Sequence, residues 1–216
     1  MLRALHTHMS LDDDALTVFS DYVCPFCYLG RASLQQYRAT RDEPLDVTWH
    51  AFDLRGHKRD EHGEIREDVD DGKDDDYFEE VRENVQRLSE EYGVDIDFDA
   101  VPDIDSWNAQ QAALYVREET DAFAAFDDAL FEAYWTDYRD IGDVDVLADV
   151  AGDVDGVAVE AVRDAATSDE WEARLESEFE EAKQLGITGV PTFAYDGHAA
   201  RGAVPPEQLE RLVEAA

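Results

Sequence analysis

Two cysteines stand three residues apart in this chain, in the tetrapeptide Cys24-Pro25-Phe26-Cys27. They follow a short apolar run and open a segment of helical character. The first sulfur is therefore placed at a helix start, near unpaired backbone N–H groups and the positive end of the helix dipole. That setting favours a thiolate over a thiol, and the thiolate is the nucleophile of cysteine chemistry. Residues three apart on a helix also bring two sulfurs within disulfide reach. The pattern predicts redox or thiol chemistry: Cys24, at the exposed helix start, forms a mixed disulfide, and Cys27, one turn deeper, resolves it. The competing readings are an inert pair and a zinc site. Zinc takes about four ligands, whereas two cysteines are the whole thiol supply and His6 and His8 precede the first strand. No metal is expected, and no cofactor beyond the redox-active Cys24–Cys27 pair itself.

A second signal, Gly189-Val190-Pro191-Thr192-Phe193, arrives just before a predicted hairpin. Taken alone, Pro191 reads as a strand-entry proline in trans, since only about 5–6% of X-Pro bonds in folded proteins are cis. Asp21 has two readings, a proton-shuttling carboxylate beside the cysteines or a strand-end cap for the following turn. Asn108, after Trp107, fits a helix start at which it satisfies backbone groups. His50, His57 and His62 form no Ser/His/Asp order, and the acidic run 70–76 lacks the spacing of a calcium loop.

The elements that must position these residues are legible in the hydrophobic pattern. Residues 15–20 (ALTVFS) and 45–52 (LDVTWHAF, alternating Leu45, Val47, Trp49 and Ala51) read as strands. Between them, residues 24–41 read as a helix with Pro25 in its first turn, so the first 55 residues spell β-α-β. From 56 to 167 the period is helical. Apolar stripes run through Phe78, Val81, Val85, Leu88 and Tyr92, and through Phe123, Phe126, Leu130, Ala133 and Tyr134, and shorter helices fit at 106–118, 143–151 and 157–166. Residues 56–76 are polar and glycine-punctuated, a solvated loop or lid. Thr167-Ser168-Asp169-Glu170 looks like a capping box for a helix stopped at Gly186. The pair Asp196-Gly197 marks a hairpin, and Pro205-Pro206 opens a last helix. The result is an α/β architecture, a mixed sheet assembled from both ends of the chain with an all-helical block between: residues 1–55 and 168–216 form one discontinuous domain, and 56–167 an inserted one.

Charge narrows the partners. With 18 Lys+Arg against 54 Asp+Glu, the formal charge is −36, which repels phosphate backbones and anionic lipid surfaces. Nucleic-acid and membrane binding are both disfavoured. No run of about 18 apolar residues appears, and the first residues lack the apolar stretch of a signal peptide, so the expectation is a soluble, cytoplasmic protein. Carboxylates spread along the whole chain, with lysine nearly absent, resemble a cytosolic protein of an extreme halophile. At molar salt the Debye length shrinks to about 3 Å, and self-repulsion that would unfold the chain in dilute buffer is screened.

The combination strand-CPFC-helix, helical insertion and GVPTF before the last hairpin resembles the DsbA-like branch of the thioredoxin superfamily. More narrowly, FSDYVCPFCYLG, the segment from Trp107 through ALFEAYWTDYRDIGDVDVLADVAG, and GITGVPTF…RGAVPPEQL resemble the FrnE-type proteins, relatives of 2-hydroxychromene-2-carboxylate isomerases and kappa-class glutathione transferases. The resemblance implies a thioredoxin fold with an inserted helical domain and a cis Val190-Pro191 bond facing the Cys24 sulfur. It further implies thiol:disulfide exchange with protein or small-molecule thiols, helped by an external reductant or oxidant, with Pro25, Phe26, Val190, Pro191 and Asn108 bordering the substrate. Two departures qualify it. Phe26 stands where strongly oxidising relatives have histidine, which implies a less oxidising couple. Cys24 stands where the isomerase and transferase relatives carry serine, which favours dithiol chemistry over a small-thiol-dependent isomerase or transferase. A non-catalytic peptide-binding chaperone on the same fold is the third reading.

Overall fold

The computed structural model describes residues 14–214 apart from 61, 67 and 71; His6 and His8 lie outside the described residues. Four strands, β1 (Leu16–Ser20), β2 (Val47–Ala51), β3 (Thr192–Tyr195) and β4 (His198–Arg201), form one mixed sheet in the order β2-β1-β3-β4. The parallel β1–β2 pair aligns Leu16 with Val47 and Ser20 with Ala51, while β1–β3 is antiparallel and aligns Val18 with Phe193. As an inner strand of the sheet, β1 is covered on both faces, which is why it reads as an apolar run rather than an alternation. Asp196 and Gly197 close the β3–β4 hairpin with φ of 43° and 73°. Positive φ at both central residues is what a tight primed turn requires.

Side-chain alternation on β1 distributes the helices. Leu16 joins Leu34 and Tyr37 of α1 (Pro25–Thr40) and Leu209 and Leu212 of α8 (Pro206–Glu214) in one buried cluster. Phe19, three residues on and so on the other face, packs with Ala182 of α7 (Asp169–Gln184). The five α-helices between β2 and α7 are α2 (Asp75–Tyr92), α3 (Trp107–Glu119), α4 (Phe123–Trp135), α5 (Val144–Gly152) and α6 (Val159–Ala165). Their interior, with Ala109, Leu114, Phe126, Leu130, Leu147 and Val162, is continuous with Tyr22, Cys24, Cys27 and Trp49. The cysteine corner thus shares one apolar core with the helical block.

All of the α2 stripe but Phe78 is used. Val85, Leu88 and Tyr92 pack on Leu29 and Ala32 of α1, with Val81 half-buried against the same cluster, whereas Tyr77 and Phe78 remain exposed on the first turn.

Two expectations are corrected. The cap of α7 is Ser168, whose hydroxyl accepts the Glu170 N–H at 3.2 Å; Thr167 lies one residue before it, so no Thr167–Glu170 capping box forms. Nor is 56–76 solvated throughout. A 3₁₀ turn at Gly56–Lys58 leads into Arg59, whose side chain is only 9% exposed. Its guanidinium bonds Asp53 at 2.6 Å and Asp105 at 2.7 Å and lies 4.4 Å from the centre of the Trp107 ring. Two carboxylates and an aromatic face around one planar cation outweigh the solvation this stretch would have as a free loop. Among the described residues, no helix is long and apolar enough to cross a membrane.

Candidate active site

The site begins where β1 ends. After Ser20 the chain turns through Asp21-Tyr22-Val23, and the Cys24 N–H donates to the Asp21 carbonyl at 3.1 Å. Cys24 is the N-cap of α1 and Pro25 begins the helix, where proline's missing N–H and fixed φ cost nothing. The Cys24 carbonyl accepts from the Cys27 N–H at 3.0 Å, which stacks the second cysteine one turn in. Both cysteines are free and buried. Cys24 is only 3% exposed, which corrects the expectation of an open helix start: the loop carrying Val190 lies over it.

That loop joins α7 to β3. The Val190-Pro191 bond is cis, and the Cys24 thiol donates to the Val190 carbonyl at 3.6 Å. The loop is fixed by the Thr192 hydroxyl donating to the Gly189 carbonyl at 2.7 Å and by the Gly202 N–H donating to the Pro191 carbonyl at 2.8 Å. On the helix side, Gly30 makes the approach possible. A Cβ there would stand 2.9 Å from Pro191 Cγ and 3.2 Å from Phe193 Cζ. Pro191 therefore rests on the bare backbone of α1, a contact no sequence motif announced.

Cys27 sits in a different electrostatic setting. Burial pushes its thiol well above the ordinary cysteine range, and the neighbouring Cys24 adds to the effect. A buried thiol loses the water that would stabilise its anion.

Asp21 takes the second of its two sequence readings, the cap of the turn that follows the strand. Its carboxylate accepts the Ser106 hydroxyl at 2.6 Å, the Val23 N–H at 3.3 Å and the Leu54 N–H at 2.9 Å, so it caps the turn before the cysteines and ties it to α3 and to the end of β2. Burial nonetheless lifts its carboxyl to about 6, against those hydrogen bonds. Behind it, the Trp135 indole N–H donates to the Tyr22 carbonyl at 2.9 Å, and the Tyr22 hydroxyl donates to Asp127 at 3.0 Å. Two residues of α4 thereby hold the turn preceding Cys24. Nothing in the sequence spacing assigned Trp135 a donor role.

Of the predicted substrate-side residues, Phe26 and Val190 border a shared groove of about 530 Å³, closed by Leu88 and Tyr92 of α2 and by residues 201–205. Pro25 and Phe26 are half-buried and Pro191 is buried. Asn108 is occupied elsewhere: its amide donates to the Gly142 carbonyl at 2.8 Å and links the start of α3 to the loop before α5. The three histidines 50, 57 and 62 are not gathered with the cysteines; His50 is buried on β2 beside Glu178 and Glu181. Among the described residues, no group of three or more His, Cys, Asp or Glu is arranged to hold a metal ion.

A mixed sheet, a dithiol at the first turn of the helix after β1, and a cis-proline loop over the first thiol define a thioredoxin-like protein with a helical block between its second and third strands. Residues 15–214 match the model of the DSBA-like thioredoxin domain, and the chain belongs to that family. It is 26% identical over 201 residues to the uncharacterized protein YwbO of Bacillus subtilis (strain 168), an alignment covering 92% of this chain and 94% of YwbO. Its structure resembles the probable DsbA oxidoreductase SCO1869 from Streptomyces coelicolor, with a TM-score of 0.72 and 22% identity over 93% of this chain and 88% of that one. It also resembles a 2-hydroxychromene-2-carboxylate isomerase, with a TM-score of 0.71 and 18% identity over 93% of each chain. At these identities the two likenesses establish the fold, which hosts both redox and isomerase members.

Proposed function

We propose that this protein is a thiol:disulfide oxidoreductase acting on protein or small-molecule disulfides through Cys24 and Cys27. The observation that carries the reading is the asymmetry of the pair: Cys24 stands at the N-cap position of α1 with its thiol donating to the Val190 carbonyl, whereas Cys27 lies one turn in and is kept protonated by burial. The Cys24 thiolate attacks one sulfur of a substrate disulfide, forming a mixed disulfide and releasing the first substrate thiol. Cys27 then gives up its proton and attacks the Cys24 sulfur, releasing the second thiol and leaving the Cys24–Cys27 disulfide. Two electrons have passed to the substrate. An external thiol restores the pair, because the chain has no third cysteine to relay them. Val190, beside cis Pro191, presents backbone to an extended substrate strand, a mode of recognition tolerant of side-chain sequence. Phe26 and Pro25 line the approach. No cofactor beyond the dithiol is needed.

The test is disulfide reduction and dithiol oxidation of a model protein in molar KCl. Cys24→Ser is expected to abolish both reactions, and Cys27→Ser to accumulate a mixed disulfide on Cys24. A folded wild type without exchange activity overturns the reading. Small-thiol-dependent isomerisation surviving in Cys27→Ser would support the isomerase alternative, and aggregation suppression unchanged in the double Cys→Ser variant would support a chaperone.

A further inference from the structure

The groove at Phe26 and Val190 is charged against the trend of the molecule. The chain sets 54 Asp+Glu against 18 Lys+Arg, and two of its other large cavities follow suit: one arginine is set among seven carboxylates in the cavity at Arg59, and one among four in the cavity at Arg82. In the groove the order reverses. Its charged lining is Arg87, Glu91 and Arg201, a balance of one positive charge. Arg87 is paired with Glu91 one turn along α2, at 3.2 Å, so the surplus rests on Arg201. Arg201 ends β4 opposite Thr192, the residue after Pro191. Its guanidinium donates to the Thr188 hydroxyl and to the Gly186 carbonyl, both at 3.3 Å, and it meets no carboxylate among the described residues. Two neutral oxygens orient a guanidinium without neutralising it, and its planar fork keeps further N–H donors. Thr188 lies two residues before Val190, whose carbonyl receives the Cys24 thiol.

We infer that the groove selects disulfides whose cysteine lies in an acidic stretch of extended polypeptide, with Arg201 as the specificity-determining residue. The inference rests on the oxidoreductase reading and names the substrate class of that site. Residues of an extended strand stand about 3.3 Å apart, so an Asp or Glu within about three positions of the cysteine joined to Cys24 comes within reach of Arg201. Phe26, Leu88 and Val204 offer the same strand apolar surface. Elsewhere the charge of −36 repels an acidic chain, which confines the attraction to the groove and fixes the register of the bound strand. A hydrogen-bonded ion pair of this kind acts at contact and so persists in molar salt, where the Debye length is about 3 Å.

The probes are three peptides that share one cysteine, carried as its mixed disulfide with 2-thiopyridine, and differ only in the residues flanking it, Glu, Gln or Lys. Reduced protein is mixed in excess with each peptide in molar KCl, and release of 2-thiopyridine reports attack by Cys24 on the peptide sulfur. The Glu peptide is expected to react about three- to tenfold faster than the Gln peptide, and the Lys peptide slowest. Arg201→Gln is expected to bring the Glu-to-Gln ratio to about one, Arg201→Lys to keep it above one, and Arg201→Glu to favour the Lys peptide. Arg211→Gln makes the same change of charge at an exposed position of α8 outside the groove lining and is expected to leave the ratio at its wild-type value. Equal rates for the three peptides in wild type, a ratio unmoved by Arg201→Gln, or an equal fall in Arg211→Gln overturns the inference while leaving the oxidoreductase reading in place. Release from none of the peptides overturns that reading and the inference with it. An Arg201-dependent preference for 2-thiopyridyl mercaptoacetate over its amide, with none among the peptides, assigns the groove to small anionic thiols and overturns the polypeptide.

Discussion

At the scale of single residues, the two thiols of the site sit in different settings. Burial raises the Cys27 thiol, while the Val190 carbonyl receives the Cys24 thiol. Asp21, three residues ahead of Cys24, carries a measurable consequence. Its carboxyl rises from 3.8 to about 6 on folding because burial disfavours the anion. Between those values the folded chain holds a proton the unfolded chain has lost, so stability falls as pH rises through the window. The shift corresponds to about 3 kcal/mol at 1.36 kcal/mol per unit. Asp21→Asn removes the titration. The stability advantage of wild type over this variant, measured by denaturant unfolding, is therefore expected to shrink by about 2–3 kcal/mol between pH 4 and pH 7. A constant difference would show that Asp21 does not titrate there.

At the scale of elements, α1 is held to the cis-proline loop by the absence of a side chain. Alanine at position 30 would gain up to about 1 kcal/mol of helix propensity, but its Cβ would meet Pro191 and Phe193 at 2.9 and 3.2 Å. Overpacking of that kind costs about 1–3 kcal/mol. Gly30→Ala is expected to lower the thermal midpoint and to slow disulfide exchange by moving the Val190 carbonyl away from Cys24; a midpoint above wild type would contradict the packing argument. The correction at α7 has its own test. Ser168→Ala removes the hydroxyl that accepts the Glu170 N–H and is expected to cost about 1 kcal/mol. Thr167→Ala, outside the cap, is expected to change unfolding free energy by less than about 0.5 kcal/mol. Equal losses in the two variants would restore Thr167 to the cap.

At the scale of the whole molecule, charge is the dominant fact. A formal charge of −36 cannot be neutralised by 18 cations, and many of these are committed locally: Arg59 to Asp53 and Asp105, Arg117 to Glu178, Arg174 to Glu118 and Glu170. The remaining carboxylates repel one another over a range that salt sets. Dialysis from molar KCl to about 0.1 M lengthens that range from about 3 to about 10 Å. Circular dichroism followed along the dialysis is expected to show loss of helix and a falling thermal midpoint. Unchanged ellipticity and midpoint in dilute buffer would mean that packing alone carries the fold against self-repulsion.

The sequence by itself determined what is local or periodic. Strand and helix periods placed β1, α1, β2 and the terminal hairpin, Asp196-Gly197 specified its turn, and CPFC marked the chemistry, because each signal depends on residues within one or two turns of each other. The tertiary structure decided what depends on approach between distant segments. Pro191 settles on Gly30, Trp135 and Asp127 of α4 hold Tyr22, and Arg59 leaves its polar loop for Asp105. The same approach brings Asn108 to Gly142 and leaves the Trp49 indole N–H buried without an acceptor among the described residues. Burial, and with it the upward shift of the Asp21 carboxyl and the Cys27 thiol, exists only once helices from the middle of the chain have closed over a corner built from its two ends.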